Sequence, residues 1–138
     1  MAADEPIMAI DPGRNKCGLA VVFQGETLLQ EIVDRDNILK RAVDVLPATG
    51  AIVVGDRTGS KEFIAELKAA NPTIVNRITT IDEHLSSVEA RSLYWQVNRP
   101  KGLRKLIPTS LQEPPVPIDD FVAVILAHRY LDSKKQPK

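Results

Sequence analysis

Short apolar runs separated by turn residues occupy the first quarter of the chain, and this pattern is typical of β-strands joined by tight connections. The connections are brief enough for hairpins, so we expect three consecutive antiparallel strands. Asp11-Pro12-Gly13-Arg14 suits a type II turn, with Pro12 at its second position and Gly13 at a positive φ. Cys17, the only cysteine, is expected to be a buried core thiol. The predicted strands cover residues 7–10, 17–23 and 27–33.

The rest of the chain alternates apolar residues at helical spacing with β-branched runs. Asp36 and Ser60 can cap the first two helices, and Ser86-Ser87-Val88-Glu89 matches the capping box that opens a third. Residues 98–117, rich in proline and cations, predict a loop, and loops of this length are usually functional or mobile. The predicted helices cover 38–46, 61–70, 86–97 and 118–131, with further strands at 51–55 and 73–81.

This order of elements predicts an α/β fold with a mixed five-stranded sheet and helices on both faces. We expect one domain over residues 1–138, with flexible ends at 1–5 and 133–138. The first strand should lie between the hairpin partner and the fourth strand. The order of connection reverses there, and ligands of open α/β sheets collect at the carboxyl ends of the strands at such a point.

Acidic residues stand at that predicted edge and at the start of the last helix. Asp11 and Glu83 follow two of the strands, and Asp119 and Asp120 open the final helix. Crowded carboxylates repel one another unless a cation neutralises them, and hard oxygen ligands suit Mg²⁺ or Mn²⁺. Two such ions about 4 Å apart can drive phosphodiester hydrolysis. The alternatives are ordinary turn residues for Asp11 and Glu83 and helix-dipole partners for the 119–120 pair, whereas Asp56 and Asp82 are interpreted as loop residues.

The charge distribution, rather than the net charge, indicates a partner. Eighteen basic and eighteen acidic residues give a net charge of zero, which argues neither for nor against a polyanion. The segment 91–105, however, holds five cations and no acid. We interpret Tyr94 and Trp95 as packing residues, with base stacking as the alternative. The predicted nucleic-acid contacts are Arg14, Lys16, Arg99, Lys101, Arg104 and Lys105.

Several protein classes are disfavoured by composition. No run approaches eighteen apolar residues, so we expect no membrane span. The acidic start, Met1-Ala2-Ala3-Asp4-Glu5, has no apolar core of a secretory signal, and no cysteine–histidine pattern has zinc spacing. We therefore expect a cytoplasmic protein.

Three segments resemble the YqgF/RuvX family of Holliday-junction-resolvase-like nucleases, which have an RNase H fold and are related to RuvC. Residues 10–21, Ile-Asp-Pro-Gly-Arg-Asn-Lys-Cys-Gly-Leu-Ala-Val, are similar to its first motif. Residues 81–91, Ile-Asp-Glu-His-Leu-Ser-Ser-Val-Glu-Ala-Arg, are similar to its second, and residues 119–130 to its closing helix. The chain departs from the family at 55–60, where its loop is shorter, and at His84, where the family has arginine.

This resemblance implies an RNase H-like fold and a metal site made by Asp11, Glu83 and Asp119, with Asp120 as a stand-in or assistant. It implies a nuclease with Mg²⁺ or Mn²⁺, two ions in all, acting on structured RNA in 5′-end maturation of pre-16S ribosomal RNA, in contact with ribosomal precursor particles. The alternatives are a resolvase-like endonuclease on branched DNA and an inactive RNA- or ribosome-binding domain; an actin-like ATPase is a further, weaker one. The protein would be a monomer or homodimer.

Overall fold

A computed structural model describes residues 5–57 and 59–135 of the chain. Among the helices of these residues, none combines the length and the apolar content needed to cross a membrane. Of the predicted flexible ends, 1–5 and 133–138, residues 1–4 and 136–138 lie outside the described residues, and 133–135 belong to the last helix. Within the described part, the elements are β1 Ile7–Asp11, β2 Lys16–Phe23, β3 Glu26–Asp34, α1 Ile38–Asp44, β4 Ile52–Gly55, α2 Ser60–Ala70, β5 Ile78–Ile81, α3 Ser86–Val97 and α4 Asp119–Lys135.

The five strands form one mixed sheet in the order β3-β2-β1-β4-β5. β1 pairs antiparallel with β2 and parallel with β4, and β4 pairs parallel with β5. The predicted sheet and its strand order are therefore confirmed. The carboxyl ends of β1, β4 and β5 lie along the same edge of the sheet, since these strands run in one direction.

Helices cover both faces of the sheet, as predicted. Every residue of β1 is buried, and successive side chains of a strand point to opposite faces. Met8 and Ile10 pack in a core with Phe63 of α2, whereas Ile7 and Ala9 pack in a second core with residues of α3 and α4. The central strand thus reads as a continuous apolar run because both of its faces are covered.

The two hairpin turns differ from each other. Gln24 and Gly25 have φ values of 52° and 83°, the two consecutive left-handed residues of a type I′ turn. The predicted type II turn after Asp11 is wrong, because Gly13 is not among the described glycines with positive φ. Gly13 is required there for space, since a Cβ would overlap the backbone carbonyl of Lys16.

The strand predicted at 73–81 begins only at Ile78, and Pro72–Arg77 forms a 3₁₀ helix instead. Asn71 causes this, because its side-chain oxygen accepts hydrogen bonds from the backbone N–H (3.3 Å) and the hydroxyl (2.6 Å) of Thr73. A local side-chain hydrogen bond of this kind competes with strand formation. The β-branched composition alone could not reveal it.

The predicted capping residues are also wrong. The three helices that follow the hairpins are preceded by Asn37, Gly59 and Leu85, and none of the three makes a side-chain capping bond. Gly59 and Leu85 are left-handed, with φ of 94° and 59°. Two 3₁₀ turns, Gly102–Leu106 and Thr109–Leu111, interrupt the predicted loop at 98–117, and α4 extends past its predicted end at 131.

Candidate active site

Asp11 ends the central strand and is 1% exposed. It pairs with Gly18 across the hairpin. Its Oδ1 atom is buried and has no hydrogen-bond partner among the described residues. A carboxylate in this position loses its hydration without a protein donor to replace it, which is costly.

Glu83 lies in the loop after β5 and is 8% exposed. Its Oε2 accepts a hydrogen bond from the backbone N–H of Arg57 (3.0 Å), and its Oε1 lies 3.3 Å from Arg57 Nε. The backbone N–H of Glu83 donates to Asp56 Oδ1 (3.0 Å). A Cβ at Gly55 would overlap the Glu83 carboxyl group, so the glycine that ends β4 provides the space for this side chain.

The carboxyl groups of Asp11 and Glu83 lie within hydrogen-bond reach of each other. Two ionised carboxylates are both acceptors, so a bond between them requires a proton on one of them. Burial is the main cause that raises the pKa of Asp11 to about 8, and the contact with Glu83 adds to it. The Arg57 guanidinium opposes this rise, whereas the charge of Asp119 adds to it.

Asp119 completes this group from the first turn of α4. Burial raises its pKa, Asp120 raises it further, and Arg57 lowers it. The helix start approaches the sheet closely, because a Cβ at Gly18 would overlap the backbone carbonyl of Asp119. The structure therefore places Asp119 within electrostatic range of Asp11.

Asp120 is oriented differently. Its Oδ2 accepts a hydrogen bond from Gln30 Nε2 of β3 (3.0 Å), and its Oδ1 is buried without a partner among the described residues. The charge of Asp119 raises the pKa of Asp11. Asp119 is thus the residue whose charge acts on Asp11, whereas Asp120 is held by Gln30 and keeps one unpartnered oxygen, and the choice of the third acid stays a prediction.

These acids fit a divalent cation in their chemistry. Hard carboxylate oxygens are the ligands that Mg²⁺ and Mn²⁺ prefer. Asp11 Oδ1 and Glu83 Oε1 are both buried without a hydrogen bond from a described residue, although Glu83 Oε1 forms an ion pair with Arg57 Nε at 3.3 Å. Over residues 5–57 and 59–135, however, no three acidic, histidine or cysteine side chains are already close enough to hold one ion, so a bound ion would require these side chains to rearrange.

Two arginines that the sequence analysis did not assign hold this site together. Arg57 is the cation nearest the acids; its side chain is 44% exposed, so it reaches from solvent to Glu83. Arg129 of α4 donates to the backbone carbonyls of Asp82 and His84 (both 2.7 Å), which flank Glu83. The position of Arg57 after the fourth strand was the only available sign of its role.

The other predicted loop acids have structural partners. Asp56 accepts the backbone N–H of Glu83, as described above. Asp82 Oδ1 accepts the backbone N–H of His84 (2.8 Å), the short-range bond of an Asx turn. Both therefore position the loop that carries Glu83.

The predicted nucleic-acid contacts lie on two separate parts of the chain, the first hairpin and the segment after α3. Arg14 lines a polar cavity of about 340 Å³ beside the start of α1, and Lys16 pairs with Asp34 (2.7 Å). The cations of the predicted loop, namely Arg99, Lys101, Arg104 and Lys105, are exposed. Tyr94 and Trp95 pack edge-on at 5.0 Å and are both 8% exposed, so the packing interpretation of these two residues is confirmed.

Comparison with known structures supports the fold. The chain is similar to the Thermus thermophilus RuvC structure, with 16% identity, coverage of 94% of this chain and 96% of that chain, and a TM-score of 0.52. Two weaker similarities are to T. thermophilus RuvC in complex with Holliday junction substrate (17% identity, coverage of 95% and 96%, TM-score 0.48) and to Archaeoglobus fulgidus Pelota (18% identity, coverage of 96% and 39%, TM-score 0.47).

No protein-family model matches the chain, and a sequence search of curated proteins returns no match. The resemblance to the YqgF/RuvX family therefore stays a prediction. At 16% identity, the likeness to RuvC shows the architecture alone. The chain has an RNase H-like fold of the kind seen in RuvC.

Proposed function

We propose that this chain is a nuclease that hydrolyses phosphodiester bonds in structured nucleic acid with the help of divalent metal ions. One observation carries the proposal: two carboxyl groups from separate strand ends, those of Asp11 and Glu83, meet in a buried position. A buried pair of carboxyl groups costs stability when both are ionised. A bound cation would offset this cost, which explains why the protein keeps the pair. The RNase H-like fold is consistent with this chemistry.

In this proposal Asp11, Glu83 and Asp119 hold Mg²⁺ or Mn²⁺, two ions in all. Bound ions would polarise the phosphate and generate a nucleophile from water. Asp11 releases its proton when the site is loaded, because a coordinating carboxylate must be ionised. Arg57 neutralises Glu83 in the empty protein, and its exposed guanidinium lies where an incoming phosphate could be contacted.

The finer substrate assignment rests on the sequence resemblance. We propose 5′-end maturation of pre-16S ribosomal RNA in the cytoplasm, on ribosomal precursor particles, by a monomer or homodimer. The alternative from the same resemblance is a resolvase-like endonuclease that acts on branched DNA. Both substrates are structured polyanions, so cleavage assays must compare them directly.

One observation favours a second function, that of a binding domain without catalysis. Arg57 already contacts both oxygens of Glu83, and an internal cation of this kind can replace a metal ion. Such a protein would bind RNA in a salt-dependent way and would show no turnover that depends on a metal.

The test compares cleavage of a precursor ribosomal RNA and of a four-way DNA junction, with Mn²⁺ and with EDTA. Asp11→Asn and Glu83→Gln should abolish cleavage, whereas the control Asp132→Asn, at an exposed position of α4, should keep it. Calorimetric titration with Mn²⁺ gives an independent readout. Unchanged cleavage in both site variants would refute the assigned site, and binding without turnover on either substrate would favour the second function.

A further inference from the structure

A groove that the acidic site does not use follows the outer face of α3. Two cavities, of about 470 and 220 Å³, share three lining residues and so adjoin each other. One wall is α3 and the other is the chain after it, up to the second 3₁₀ turn. We refer to this feature as the α3 groove, and six of its lining residues are Val88, Ser92, Trp95, Arg99, Lys105 and Thr109.

Trp95 forms a rigid wall in the middle of the α3 groove and lines both cavities. Its ring packs edge-on against Tyr94, which packs edge-on against Phe121 of α4 at 5.5 Å. The indole Nε1 is buried and has no acceptor among the described residues. Buried indole N–H groups usually have a partner, but this atom is not accessible from the groove, so only the remaining surface of the Trp95 ring faces an occupant.

The charges of the α3 groove are of one sign. Arg91, Arg99 and Lys105 line it, and none of its lining residues is acidic. Of the ion pairs between described residues, one involves these cations, namely Arg91 with the exposed Glu113 at 3.8 Å. Next to Lys105, the side chains of Leu103 and Leu106 are more than 80% exposed. An occupant should therefore combine negative charge with flat apolar surfaces.

The α3 groove also starts close to the acidic site. Val88 lies five residues after Glu83, and Arg99 follows the end of α3. At 1.5 Å per helical residue, the distance along the helix from Val88 to its last residue, Val97, is about 14 Å. A chain leaving the acidic site could follow α3 over this distance.

We propose that the α3 groove binds an unpaired strand of nucleic acid, with bases against the exposed Ile107 beside the largely buried Trp95, and phosphates on Arg99 and Lys105. A single strand exposes the faces of its bases as well as its phosphates. A duplex exposes its phosphates, but its base faces are stacked inside the helix. The proposed role of the groove in positioning a substrate rests on the proposed nuclease function. Binding of the strand to the groove is measured without cleavage and so tests the groove independently. It predicts a substrate with an unpaired segment beside the cleaved bond.

The experiment uses the intrinsic fluorescence of Trp95, the only tryptophan of the chain. The full chain is titrated in EDTA with a single-stranded oligonucleotide, with a duplex of the same sequence and with an abasic strand. We expect saturable quenching by the single strand, and much weaker binding of the other two. Arg99→Gln with Lys105→Gln should reduce the slope of log affinity against log salt by about 1.4, at about 0.7 for each phosphate contact.

The matched control is Lys61→Gln with Lys68→Gln, which removes the same charge from exposed positions of α2. It should leave both quenching and salt slope unchanged. Unaltered fluorescence at saturation, equal binding of duplex or abasic strand, or equal salt slopes in the two double variants would each overturn the proposal. Asp11→Asn should bind the single strand normally, so a failure of cleavage and a failure of groove binding are distinguishable.

Discussion

Asp11→Asn is expected to stabilise the metal-free protein above neutral pH while it removes one ligand of the proposed metal site. Asp11 is buried next to Glu83, and its pKa is raised from an ordinary value of 3.8 to about 8. Between these two values the folded state holds a proton that the unfolded chain has released. Stability therefore falls as pH rises from about 4 to about 8. Asparagine resembles the protonated acid and should remove this dependence.

The size of the effect follows from the same two values. At about 1.4 kcal/mol for each pH unit, the loss between pH 5 and pH 8 has an upper limit of about 4 kcal/mol. Water that enters the site makes the actual loss of stability smaller than this limit. A domain of this size has a total stability of roughly 5–15 kcal/mol, so even a quarter of the limit is measurable.

The assay is urea unfolding in EDTA at pH 5 and pH 8, for the wild type, Asp11→Asn and the exposed control Asp132→Asn. The stability of Asp11→Asn relative to the wild type should rise with pH, whereas the control should follow the wild type. Mn²⁺ at about 100 times its Kd should restore about 2.7 kcal/mol to the wild type and nothing to Asp11→Asn. Parallel pH dependence in all three proteins would refute the reasoning.

Three further predictions concern the residues around the acids. Arg57→Gln should increase Mn²⁺ affinity, measured by calorimetry, because it removes the cation that competes for Glu83; unchanged affinity would contradict this competition. Gly18→Ala should destabilise the fold by roughly 1–3 kcal/mol in urea unfolding, because its Cβ meets the backbone of Asp119; a neutral result would show that α4 can shift freely. Arg129→Met should lower stability by about 1–3 kcal/mol and reduce Mn²⁺ affinity, since two backbone carbonyls beside Glu83 lose their donor. Arg129→Lys should recover part of both losses. If Arg129→Met lowers stability without changing Mn²⁺ affinity, Arg129 contributes to folding and not to the proposed metal site.

The sheet could be predicted from sequence because the signals that define its strands lie within short segments of the chain. Each strand is an apolar run with its own turn residues, and the short hairpins leave few ways to pair the first three. The segment 73–77 was mispredicted because Asn71 directs the backbone through one side-chain contact. The helix starts agree with the structure to within one residue, but the capping residues were mispredicted because Gly59 and Leu85 precede their helices in a left-handed backbone conformation.

The site was predictable only in part. The pattern of acids after strands indicated Asp11 and Glu83 as candidates, and the structure brings their carboxyl groups together. Arg57 and Arg129 were missed because their contacts join residues 26 and more than 40 positions apart. The choice between Asp119 and Asp120 depends on which of the two side chains faces β3. Because both residues are aspartates, the sequence does not show which one does.

The position of the last helix in the chain affects the order in which the protein folds during synthesis. α4 supplies Asp119 and also covers β1, β2 and β3 with one of the two cores. During synthesis from the amino terminus, the hairpin and the first acid emerge long before this helix. A nascent chain therefore has neither its second core nor the proposed third acid until this helix has left the ribosome, so the proposed cleavage activity would first arise only after α4 has packed on the sheet.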